Sequence, residues 1–137
     1  MRSILKRTYN ALQGVIILKM KSVVIRTTDI QKSINFYEKI MGFSFDGMIS
    51  AAPGKQIAFL SDPESGAKLE LLHNERGEVC TSGSVSLTFI VDQIAWAEKH
   101  MTDNKVRILS APKTIKDGKK IMTAVDPNGV ELDFIEE

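Results

Sequence analysis

Two carboxylates occupy matching places in this 137-residue chain. Glu70, in "KLELL", lies four residues after Gly66 of the turn "DPESG"; Asp133, in "ELDFI", lies four residues after Gly129 of the turn "DPNG". Each stands between apolar neighbours, Leu69 and Leu71 in one case and Leu132 and Phe134 in the other. Side chains alternate between the two faces of a strand. If the apolar set faces a core, both acids face the opposite way, and a one-residue slip would reverse every side chain. Acids on an open sheet face can bind a cationic or hydroxylated ligand, or serve as acid and base. The plainer alternative is a pair of solvated strand residues.

The elements that would position them occur twice. "SVVIRTTD" has the alternation and β-branching of a strand. In "DIQKSINFYEKIMGF", Asp29 is a helix N-cap, with Ile30, Ile34, Tyr37 and Ile40 or Met41 at helical spacing and Gly42 as terminator. Three strand-like runs follow, "SFDGMIS", "KQIAFLSD" and "AKLELLH". The second half repeats the order. It has a strand "SVSLTFIVD", a helix "QIAWAEKHMTDN", and the strands "KVRILSAP", "KKIMTAVD" and "GVELDFIEE". The pattern predicts an α+β fold of two βαβββ repeats, about 20–73 and 84–137, linked by "HNERGEVCTSG". The two repeats are expected to form a curved mixed sheet with a cup-shaped cleft.

Residues 1–19 stand apart. They hold four of the 18 basic residues and no acid, which leaves 14 basic against 17 acidic residues in the body. They read as an upstream extension before Met20; the sharper alternative is a transit peptide. "GVIIL" is too short for a secretory core and could add an edge strand. The formal net charge of +1 gives no case for nucleic acid. No apolar run approaches the ~20 residues that span a bilayer, so no membrane partner is expected. The single Cys80 forms no internal disulfide and suits a reducing, cytoplasmic setting.

From "VVIRTTDIQKSINFYEKIMGF", through "TFIVDQI", to "AVDPNGVELDFIEE", the chain resembles the vicinal oxygen chelate superfamily of glyoxalase I, bleomycin- and fosfomycin-resistance proteins and extradiol dioxygenases. The resemblance covers residues 20–137. It implies a metal site with one ligand from each of four strands, usually His or Gln, Glu, His and Glu. Those slots fall here on Ser22, Glu70, Ser86 and Asp133. Serine hydroxyls are poor ligands for the transition metals such a site takes. His73 and His100 read as surface or packing residues. A weaker alternative is a divalent ion held by Glu70, Asp133 and water.

The resemblance also implies a role for Arg26, which shares a face with Ser22: anchoring an anionic substrate, or else simply neutralising the acids. Thr88 shares a face with Ser86. The expected function is metal-independent binding of a small organic ligand, without cofactor, at Ser22, Arg26, Glu70, Ser86, Thr88 and Asp133. Glu70 and Asp133 are the catalytic candidates if there is turnover. The alternative is a metal-dependent lyase or isomerase of glyoxalase I or epimerase type. A homodimer is expected because pairing across chains is common in the family.

Overall fold

The computed structural model describes residues 21–77, 85–115 and 118–137. The basic extension 1–19, Met20 and Cys80 lie outside the described residues. In chain order the elements are β1 (Val23–Arg26), α1 (Ile30–Asn35) running into a π-helical turn (Phe36–Ile40), β2 (Ser44–Ala52), β3 (Lys55–Ser61) and β4 (Lys68–Asn74). The second unit follows with β5 (Ser86–Val91), α2 (Ile94–Asp103), β6 (Ile108–Thr114), β7 (Lys120–Val125) and β8 (Glu131–Glu136). The βαβββ order thus occurs twice.

Each unit forms its own four-stranded mixed sheet, in the orders β1-β4-β3-β2 and β5-β8-β7-β6. The first strand of each unit runs parallel to the last, and the other pairs are antiparallel. The two ladders correspond in register: Val24 lies opposite Glu70, and Thr88 opposite Asp133. Ser22 and Ser86 each precede those positions by two residues. β6 is an edge strand, which is why it tolerates Pro112.

The alternation sorts the faces as the apolar pattern requires. Leu69, Leu71, Leu132 and Phe134 are buried, together with Ile34, Tyr37, Ala97 and Met101 from the helical segments. They belong to one core cluster that spans both units. Phe43 of the first unit meets Phe89 of the second edge-on at 6.4 Å, and Phe89 stacks on Phe134. Glu70 and Asp133, on the opposite parity, are half-buried. No helix among the described residues is long and apolar enough to cross a membrane.

A local signal accounts for the first helix start and a distant carboxylate for the second. Asp29 caps α1, its Oδ1 accepting from the Lys32 N–H at 3.1 Å. Gln93 supplies no side-chain cap to α2. Instead, Glu136 Oε2 accepts from the Ile94 N–H at 2.9 Å, so a carboxylate from β8 satisfies the helix start. The first helix departs from the expected continuous α-helix at its end. The Met41 N–H reaches back five residues to the Phe36 carbonyl at 3.1 Å. This wider turn buries both Phe36 and Tyr37.

Candidate functional site

Glu70 and Ser22 meet on the face of the first sheet opposite α1. The Ser22 hydroxyl donates to Glu70 Oε2 at 2.6 Å. Ser22 leads into β1, and β1 runs parallel beside β4, so the hydroxyl reaches diagonally to the acid. Both residues line a cavity of about 850 Å³ with Lys21, Asp46, Phe59 and Lys68. Phe59 lies opposite Glu70 across the β3–β4 ladder and supplies an apolar wall. The cavity therefore mixes two ammonium groups, two carboxylates, a hydroxyl and an aromatic ring. Its volume is in the range of small-molecule sites.

Asp133 is held in a parallel way by a different partner. Thr123 Oγ1 donates to Asp133 Oδ1 at 2.6 Å. Thr123 lies directly opposite on β7, and Thr88 lies opposite on β5. Ser86 pairs in register with Glu131 and is exposed. The hydroxyl partner of this second acid is therefore Thr123, not Ser86. Its position was readable from the tight "DPNG" turn. Once Val125 pairs with Glu131, Thr123 must pair with Asp133. Lys21 and Asp46 also line the cavity, and neither follows from the repeat.

The residues around the large cavity all come from the first unit. Asp133, Thr88 and Ser86 belong to the second sheet and do not line it. Arg26 lies opposite Leu72, on the Glu70 face and one pair further along; it is exposed, and no ion pair joins it to Glu70 among the described residues.

Both histidines are held by backbone carbonyls. His73 Nδ1 lies 3.0 Å from the Thr27 carbonyl. His100 Nε2 lies 2.8 Å from the Ile40 carbonyl while the ring stacks on Trp96 at 4.7 Å. Each contact requires a ring N–H donor, so that nitrogen is not free as a ligand.

A buried polar network couples the two units. Tyr37 Oη donates to Asp126 Oδ2 at 2.7 Å. Asp126 Oδ1 accepts from the N–H groups of Asn128 and Val130, each at 2.7 Å. Asn128 Nδ2 donates to Ser33 Oγ at 3.0 Å, and Ser33 meets Thr27 Oγ1 at 2.8 Å. Burial first, then the charge and hydrogen bond of Asp126, push the Tyr37 hydroxyl far above its ordinary value. It is a fixed donor. In the first unit's equivalent turn, Asp62 bonds only within the turn, to the Glu64 N–H and the Ser65 hydroxyl. The two Asp-Pro turns are alike in sequence and unlike in duty.

The sequence profile of the glyoxalase/bleomycin resistance protein/dioxygenase superfamily matches residues 19–134. Solved structures agree on the fold. A superfamily member from Sphaerobacter thermophilus superposes with a TM-score of 0.73 at 22% identity, over 90% of this chain and 100% of that one. A glyoxalase family protein from Bacillus cereus gives 0.75 at 16% identity, over 93% and 99%. Glyoxalase I from Zea mays gives 0.73 at 23% identity, over 87% of this chain and 44% of that one, so the chain spans less than half of that enzyme. Among curated protein sequences, none matches. With the profile covering nearly all of both βαβββ units, the chain belongs to the glyoxalase/bleomycin resistance protein/dioxygenase superfamily.

Proposed function

We propose that the chain is a metal-independent small-molecule-binding protein, with a small organic ligand held in the cavity beside Ser22 and Glu70. The observation that carries this reading is the 2.6 Å hydrogen bond between them. The hydroxyl stands where the family's imidazole ligand would, and it already donates to the carboxylate that would be the next ligand. The donor set fits a transition metal poorly. It offers hard oxygens from Glu70 and Asp133 on two separate sheets, each already accepting from a hydroxyl. Among the described residues, no three His, Cys, Asp or Glu side chains are grouped as a metal would need.

Glu70 is the anchoring group for a cationic or hydroxylated ligand, and Phe59 the packing surface. Of the six residues expected to bind ligand, Ser22 and Glu70 line this cavity, whereas Arg26, Ser86, Thr88 and Asp133 lie outside it. A cytoplasmic homodimer is part of this reading. Phe45, Met48 and Ile49 on edge strand β2 are large apolar side chains left exposed in the single chain, and a second copy would cover them.

The test is a thermal-shift screen of small cationic, neutral and anionic organic molecules, run in the presence of a chelator. Stabilisation by at least one class, lost in Glu70→Gln, supports the reading. Stabilisation that appears only when a divalent metal replaces the chelator sinks it.

A further inference from the structure

A second cavity, of about 530 Å³, shares no lining residue with the first. It lies at the seam between the units. The first helix and its π turn form one wall, and the α2–β6 connection together with the end of β7 forms the other. Four cations surround it: Lys32, Lys39, Lys105 and Arg107. Among the described residues, the ion pairs are Lys99–Asp103 and Lys119–Glu137, and none holds any of these four. The floor is apolar, made of Phe36, Ile40 and Val106 with the neighbouring Val125. The one acid in the lining, Asp126, is committed to Tyr37 and to two backbone N–H groups.

Four unpaired cations around an apolar pocket, in a body whose acids outnumber its bases, focus positive potential at one place. Two local features shape that wall. The π turn sets Phe36 and Ile40 beside Lys39, and such turns recur at functional sites. Lys105 adopts φ +58, a left-handed conformation that usually falls to glycine, and so a cation stands at the reversal after α2. We propose that this cavity is a second binding site, for a small amphipathic anion: a carboxylate, sulfonate or phosphate ester carrying a compact apolar group. The cations grip the head and the floor takes the body. The site is independent of the Ser22–Glu70 cavity.

The probe is 1-anilinonaphthalene-8-sulfonate, titrated against the full chain by fluorescence, with backbone amide shifts recorded in parallel. Saturable binding should shift the amides of residues 32–40 and 104–107. Lys39→Gln/Arg107→Gln should bind at least about tenfold more weakly, whereas Lys113→Gln/Lys120→Gln, which removes the same net charge elsewhere, should bind like the parent. Naphthalene itself should bind far more weakly than the sulfonate. The four substituted residues, Lys39, Arg107, Lys113 and Lys120, are all exposed, and near-ultraviolet circular dichroism confirms that each variant is folded. Equal loss in both double variants would reduce the effect to net charge and overturn the proposal. So would shifts confined to residues 59–70, which would place the probe in the other cavity and leave the reading of that site standing.

Discussion

The Tyr37 hydroxyl donates to Asp126 Oδ2 at 2.7 Å across 89 residues of chain, and so ties the first helix to the last turn. Both groups are buried, and no buried polar side-chain atom among the described residues lacks a partner. Removing the hydroxyl leaves a buried carboxylate oxygen short of a donor. Tyr37→Phe should destabilise the fold by about 1–3 kcal/mol, read by urea denaturation with an unchanged slope.

The same pair sets an alkaline limit. The Tyr37 phenol is raised in the folded state by burial and then by Asp126. In the unfolded chain it ionises near the ordinary value of about 10. Above that pH the folded state binds more protons, so stability is intact below about pH 10 and declines as pH rises further. The difference in stability between parent and Tyr37→Phe, measured from pH 8 to pH 11, should shrink as pH rises. A constant difference would mean that the phenol titrates alike in both states.

The face assignment makes a sharp contrast between two aliphatic residues. Leu132 is 0% exposed and Ile90 is 68% exposed. Leu132→Ala should cost about 2–5 kcal/mol through lost burial and a cavity. Ile90→Ala should stay within about 0.5 kcal/mol in the single chain. Comparable losses, measured at low protein concentration, would mean that the outer face of the second sheet is packed.

Residues 1–19 precede the two repeats, and the superfamily profile begins at residue 19. A chain starting at Met20 should unfold with the same cooperativity and midpoint as the full chain. A melting temperature lower by several degrees, the shift that about 1 kcal/mol makes in a domain of this size, would give the extension a place in the sheet.

Much of this architecture is legible in the sequence because period-two alternation is a local property. Val23 and Ile25, or Leu69 and Leu71, disclose a face without any knowledge of their partners. Asp29 discloses its helix for the same reason. What was not legible depends on contacts distant in sequence. Nothing near Gln93 says that Glu136 will cap its helix. The π turn at Phe36–Ile40 buries two adjacent aromatic rings, which helical spacing alone does not anticipate. "DPESG" and "DPNG" read as equivalent turns, yet only the second meets a tyrosine. At the candidate site, the repeat placed Glu70 and Asp133 on corresponding strands. That Thr123, rather than Ser86, bonds Asp133 follows from the register of the last hairpin and not from the repeat.

The Ser22–Glu70 pair is proposed to serve ligand binding without a metal. The most direct measurement is the metal content of the untagged full chain, purified without chelator, by inductively coupled plasma mass spectrometry. Calorimetric titration with zinc, nickel and manganese should follow. Metal-independent binding predicts substoichiometric metal and no tight, saturable uptake of any of the three. One firmly held ion per chain would contradict it and favour a metal-dependent lyase or isomerase.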